Sequence, residues 1–136
     1  MATAPVRKLT ANEVSHEVIT AAMKVHSQLG PGLLESTYQA CLQQELSKAG
    51  IHSQAQVPLP VVYDGVKLDV GYRIDLRVEG LVVAELKSID AMAPIHHAQV
   101  LSYLKLSGKS IGLLINFNVI HLKDGIKRFV SGTNWR

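Results

Sequence analysis

The chain begins with an apolar repeat of helical period. Val14, Val18, Ala22, Val25 and Leu29 follow one another at steps of three and four, which puts them on one face of a helix. Thr10 and Glu13 ahead of them form a T-x-x-E pattern that satisfies free N–H groups at a helix start. The helix should end at Gly30-Pro31-Gly32, because proline cannot continue it and glycine permits the turn. A second helix is predicted over "LLESTYQACLQQELSKAG", with Leu34, Tyr38, Leu42, Leu46 and Ala49 inward and Gly50 as its stop. From "QAQVPLPVVY" onward the period falls to two, and Asp64-Gly65 marks a hairpin turn. In "VGYRIDLRV", Tyr72, Ile74, Leu76 and Val78 face one way and Arg73, Asp75 and Arg77 the other. The run "LVVAELK" is a strand after the turn Glu79-Gly80, and a third helix is predicted from Pro94 to Ser107. "SIGLLINF" reads as a buried strand, and "HLKDGIKRFV" as a closing hairpin through Asp124-Gly125. The order is ααβββαββ, a mixed α/β class, in one unit spanning residues 1–136 with 1–10 as a flexible lead.

The run "GLVVAELK" raises a chemical question. Four apolar residues, Leu81 to Ala84, lead into Glu85 and Lys87 on one face of the strand end. The register of the hairpin through Glu79-Gly80 decides what these charges meet, since a slip of one residue turns every side chain over. With Val78 opposite Leu81, Asp75 would face Ala84. With Val78 opposite Val82, Leu76 meets Ala84 and Ile74 meets Leu86 on one apolar face, which is the better burial. That register sets Asp75 across from Glu85 and Arg73 across from Lys87.

Directly paired cross-strand side chains have Cβ atoms ~5 Å apart. Two carboxylates at that distance repel, and a divalent cation removes the penalty. Hard oxygen donors of opposite charge are what Mg²⁺ or Mn²⁺ requires. Asp75 and Glu85 therefore read as a metal-binding pair, with the Leu86 carbonyl as a further ligand. Lys87 beside them would hold a water for attack or offset charge on a phosphorane-like transition state. The opposing reading is a salt-bridged strand end in which Arg73 and Arg77 neutralise the acids. The pattern D-x₉-E-x-K alone leaves both open.

Composition narrows the setting. In 136 residues, 47% hydrophobic and 18% charged content describe a folded domain, and the formal charge of +3 permits a nucleic-acid partner without requiring one. The single cysteine, Cys41, excludes an internal disulfide or a cysteine metal cluster, and the six histidines lack zinc-type spacing. "MATAPVRKLT" has no apolar signal core and no run approaches a membrane span, so a cytoplasmic setting is expected. Ser88 beside Lys87 reads as a strand end. On the third helix, Gln99 and Tyr103 stand at i, i+4 with His96 on the same side, while Ile95, Ala98, Leu101 and Leu104 form the expected apolar stripe. Such a polar and aromatic face suits a nucleic-acid backbone, or is a solvated surface. Glu35 lies in the first turn of the second helix, where its charge meets the helix dipole favourably.

Together, Gly32-x-x-Glu35-x-x-Tyr38, "GYRIDL", "VAELKSI", "HHAQVLSYLKLSG" and "GLLINFN" resemble, in order and over about Val14 to Val130, the GxxExxY protein family of the PD-(D/E)XK nuclease superfamily. The resemblance implies a restriction-endonuclease-like core, αβββαβ, with a central mixed sheet flanked by helices, and Mg²⁺-dependent (or Mn²⁺-dependent) cleavage of phosphodiesters. By position it matches Asp75 and Glu85 to the signature acids and Lys87 to the signature lysine. Glu35 matches an extra acid that binds metal directly or through water. Gln99 and Tyr103 match a Q-x-x-x-Y element of RecB-like members that positions substrate or metal-bound water; His96 beside it has no assigned role. The usual "PD" stands here as "RID", Arg73-Ile74-Asp75. The expected partner is nucleic acid, DNA ahead of RNA, with no membrane. Two alternatives differ in class: a catalytically silent module binding nucleic acid or a partner protein, and an interaction module forming a homodimer through the edge near "HLKDGIKRFV", with Phe129 and Trp135 in the contact.

Overall fold

The computed structural model describes residues 8–132; Trp135 lies outside them. Helix α1 spans Ala11–Leu29. Thr10 Oγ1 accepts the Glu13 N–H and Glu13 Oε1 accepts the Thr10 N–H, both at 3.1 Å, closing the expected capping box. Leu9 packs against the core just ahead of it. The helix stops at Gly30, whose φ of 68° suits a glycine. Helix α2 spans Glu35–Lys48 and buries Tyr38, Leu42 and Leu46. Leu34, expected inward, is the N-cap residue and is 74% exposed, because a residue outside the first turn no longer shares the buried face.

Strand β1 covers Ser53–Pro58, and the short strands β2 (Val61–Tyr63) and β3 (Val66–Leu68) form a separate two-stranded hairpin. The sequence reads this region as one strand and a turn. Pro58 and Pro60 interrupt it, since each lacks the N–H that a ladder needs. Strands β4 (Arg73–Val78) and β5 (Val82–Lys87), helix α3 (Pro94–Ser107), and strands β6 (Ile111–Asn116) and β7 (Ile126–Val130) complete the chain. The main sheet has the order β1-β4-β5-β6-β7. β5 and β6 run parallel through the α3 crossover, and the other neighbours are antiparallel. The closing hairpin differs from expectation. Leu122–Gly125 is a 3-10 turn, and β7 returns antiparallel on β6. β7 is a sheet edge, and Phe129 on it packs against the second core cluster and lies edge-on to His97 at 5.6 Å.

One core lies between the sheet and helices α1 and α2, holding Val14, Val18, Leu42, Leu76, Ala84, Leu113 and Phe117. A smaller one joins Ile74 and Val83 of the sheet to Tyr103 and Leu104 of α3, closed by Leu59. β6 is buried at every position, as its unbroken apolar run requires. No helix among the described residues is long and apolar enough to cross a membrane.

Helix α3 departs from its expected orientation. Its buried residues are Val100, Tyr103 and Leu104, whereas Ile95 is 71% and Leu101 49% exposed. The helix turns the face carrying Tyr103 inward, because the narrow gap over Gly112 and Val83 admits Val100 and Leu104 from that side. Of the expected stripe only Leu104 is buried.

Candidate active site

The β4–β5 register is the one that buries Leu76 with Ala84, and its ladder ends there. Val78 pairs Val82, Arg77 pairs Val83 and Leu76 pairs Ala84. At the turn, Glu79 and Gly80 both have positive φ (52° and 63°) and the Leu81 N–H bonds to the Val78 carbonyl at 2.9 Å. Leu81 and Val82 together thus oppose Val78, the two-against-one arrangement of a bulge.

One step beyond Leu76–Ala84 the side chains replace the backbone as partners. The Asp75 N–H donates to Glu85 Oε1 at 3.2 Å, and the Leu86 N–H donates to Asp75 Oδ2 at 2.9 Å. Each acid holds the backbone of the other's strand. Glu85 is 2% exposed; Asp75 is half-buried. Desolvation first, then the Asp75 charge and the hydrogen bond between the carboxyl groups, push the Glu85 carboxyl up from near 4.5 to about 9. The Asp75 N–H and the Lys87 charge act in the other direction without reversing it. Lys87 ends β5 half-buried, with its carbonyl accepting the Phe117 N–H at 2.9 Å.

The arginines that the opposing reading sets against this pair have other partners. Arg77 donates to Gln54 Oε1 through Nε at 3.0 Å and Nη2 at 2.5 Å. Arg73 donates to the Tyr72 carbonyl at 2.9 Å and lies 3.7 Å from Asp69.

Asp75 and Leu86 line a cleft of about 740 Å³ together with Glu35, Gln39, Gln56 and Ser88. Glu35 is exposed, and its Oε1 accepts the Ser88 N–H at 3.3 Å. The Ser88 hydroxyl donates to the Leu33 carbonyl at 2.6 Å, which latches the start of α2 to the end of β5. Gln56, with φ of 52°, donates from its amide to Gln39 Oε1 at 2.8 Å and reaches Asp75 Oδ1 at 3.5 Å. The fold brings Asp75 and Glu85 into contact and sets Glu35 on the same cleft as Asp75. Among the described residues, no group of three or more His, Cys, Asp or Glu side chains is disposed to hold a metal ion.

Sequence reasoning passed over three contributors. Ser88 is the latch, where the sequence suggests a plain strand end. Gln56 stands beside Asp75, with only a polar residue amid an alternating strand as its signal. Tyr38 is more than an inward residue of α2. Its hydroxyl donates to the Gly30 carbonyl at 2.6 Å and accepts the Leu33 N–H at 3.2 Å, and its ring stacks on Phe117 with centroids 4.3 Å apart. It thereby fixes the loop that presents Glu35. The signal available was a tyrosine among aliphatic partners, since a buried phenol needs a hydrogen-bond partner.

On the α3 side, Gln99 donates to the Tyr103 hydroxyl at 3.3 Å. Burial raises the Tyr103 phenol, the Gln99 bond opposes this, and the nearby Glu85 and Asp75 charges add to the rise. Tyr103 packs against Ile74 and Val83 on the two strands that carry the acids. His96 Nδ1 accepts the Ala93 N–H at 2.9 Å, capping α3.

A family model described as the PD-(D/E)XK nuclease superfamily matches residues 12–129. No curated protein and no solved structure gives a significant match.

Proposed function

The chain belongs to the PD-(D/E)XK nuclease superfamily, and on that premise we propose that it is a metal-dependent nuclease hydrolysing phosphodiester bonds of nucleic acid, DNA ahead of RNA. Its five-stranded mixed sheet flanked by helices is the restriction-endonuclease-like architecture. Within the superfamily we assign it to the GxxExxY branch, on Gly32-x-x-Glu35-x-x-Tyr38.

One observation carries the reading. Asp75 and Glu85 each accept a backbone N–H from the other's strand, Asp75 N–H to Glu85 Oε1 at 3.2 Å and Leu86 N–H to Asp75 Oδ2 at 2.9 Å. Two carboxyl groups are thus drawn together, and burial and the Asp75 charge push the Glu85 carboxyl up. A pair of oxygen donors that cannot both ionise alone fits a hard divalent cation such as Mg²⁺ or Mn²⁺. Asp75 and Glu85 would hold it, with the Leu86 carbonyl and Glu35 as further ligands, Glu35 through water. Bound there, the ion supplies polarisation of a phosphoryl oxygen and a lowered pKa for water.

The chain's own groups supply the rest. Glu85 would have to give up its proton to serve as a ligand. Lys87 orients the attacking water and its ammonium offsets charge developing on the phosphate. Gln99 and Tyr103, bonded to each other on α3, position the substrate. Among the described residues no three-acid group is preassembled, which favours a second reading, a module that binds nucleic acid without cutting. It predicts binding that weakens steeply with salt and no turnover with any divalent ion.

Calorimetric titration with Mg²⁺ and Mn²⁺, in two buffers of different ionisation enthalpy, tests the leading proposal. Binding should release about one proton per site near neutral pH and be lost in Asp75→Ala. Equal affinity in wild type and Asp75→Ala removes the site. Cleavage of DNA that persists in Lys87→Ala removes the assigned chemistry.

A further inference from the structure

A second groove runs along α3, with a volume of about 530 Å³, lined by Tyr72, Ile95, His96, Gln99, Tyr103 and Leu106 among others. Its composition is unlike that of the acid cleft. No lysine, arginine or carboxylate lines it. Its apolar residues stand in water, with Ile95 71%, Tyr72 49% and Leu106 36% exposed. The Tyr72 ring leans on Tyr103 at 59° with centroids 6.1 Å apart, so one aromatic is fixed in the core and supports a second that is open to solvent.

The rim is polar. Because His96 Nδ1 accepts the Ala93 N–H, the neutral ring carries its proton on Nε2 and offers a donor. Gln99 adds an amide beside it. An apolar and aromatic groove with hydrogen-bonding groups at its edge and no fixed charge is a poor seat for a phosphate. It complements a nucleobase, which has apolar faces and polar edges. Tyr103, which lines the groove, packs against Ile74 and Val83, which stand next to Asp75 on β4 and two residues before Glu85 on β5. A base in a duplex has both faces stacked and its pairing edge occupied, so it could not enter.

We propose that this groove is a subsite for an unpaired nucleobase of single-stranded DNA, stacked on Tyr72 with His96 and Gln99 at its edge, next to the phosphate held at the acid pair. The inference rests on the nuclease reading for the position of that phosphate. It makes single strands or unpaired ends the substrate class.

Fluorescence anisotropy on the full chain in EDTA tests it without cleavage. The probes are a labelled oligothymidylate, a chain of abasic nucleotides of equal length, and a duplex. The oligothymidylate should bind more tightly than either. Tyr72→Ala should weaken its binding about tenfold, the range for loss of one base–aromatic stack. Tyr72→Phe keeps the ring and should bind as wild type. Ile95→Glu, at a position open enough to leave the fold intact, should weaken binding as well. Unchanged oligothymidylate binding in both Tyr72→Ala and Ile95→Glu overturns the proposal, as does abasic or duplex binding as tight as that of the oligothymidylate. The two readings fail separately. Tyr72-dependent binding without cleavage in Mg²⁺ keeps the subsite and removes the nuclease, and duplex cleavage indifferent to Tyr72→Ala does the reverse.

Discussion

Replacing Glu85 by glutamine should stabilise the metal-free protein at neutral and alkaline pH, although it alters a residue that is 2% exposed. The Glu85 carboxyl lies near 4.5 ordinarily and is pushed up to about 9 in the fold. Between those values the folded chain holds a proton that the unfolded chain releases. Stability is unaffected by this group below about pH 4.5, falls as pH rises through the window, and levels off above about 9. Each unit of separation is worth about 1.4 kcal/mol, so from pH 4.5 to 7 the loss is roughly 3 kcal/mol. Glutamine removes the titration while keeping the contacts, since its carbonyl can accept the Asp75 N–H and its amide can donate to the Asp75 carboxylate. For a domain of this size, 3 kcal/mol corresponds to about 10 °C in Tm. Thermal unfolding of both proteins in EDTA at pH 5 and pH 8 measures the difference, in which groups common to both cancel. The two should be nearly equal at pH 5, and E85Q should be the more stable at pH 8. Saturating Mg²⁺ should restore the wild type at pH 8 and leave E85Q where it was. An E85Q that gains no stability over wild type between pH 5 and pH 8, or that is the less stable at pH 8, would refute the buried, protonated carboxyl.

Two further changes probe the frame around the acids. Tyr38→Phe removes the hydroxyl that serves the Gly30 carbonyl and the Leu33 N–H; it should cost about 1–2 kcal/mol by urea unfolding and speed amide exchange at Leu33, and exchange unchanged there would disconnect Tyr38 from the loop. Gly112→Ala would place a Cβ 2.6 Å from Val100 Cγ1 and 3.3 Å from Leu104; the overpacking should cost about 1–3 kcal/mol by displacing α3, and an unaltered denaturation midpoint would show that the helix is not seated as described.

The elements that the sequence determined are those whose pattern is local. The α1 capping box, the stop at Gly30-Pro31-Gly32, α3 from Pro94 to Ser107 and the buried β6 follow from periods and end signals that act within a few residues. The β4–β5 register was also legible as far as Leu76 opposite Ala84, because only one choice buries that pair. Ile74, expected to meet Leu86, joins the α3-side cluster instead, where the ladder has given way to side-chain bonds. Tertiary structure alone decided the rest. The inward face of α3 could not be read from its apolar residues, since the helix carries them nearly all round and the space over Gly112 selects Val100 and Leu104. The Tyr38 and Ser88 contacts with the Gly30–Leu33 loop, and the meeting of Glu35 with Ser88 across 53 positions of sequence, depend on how α2 settles against β5. Periodicity records which side of an element avoids water. It carries no information on which distant backbone group a buried hydroxyl or a cleft carboxylate will meet, because that is fixed only when separate elements pack together.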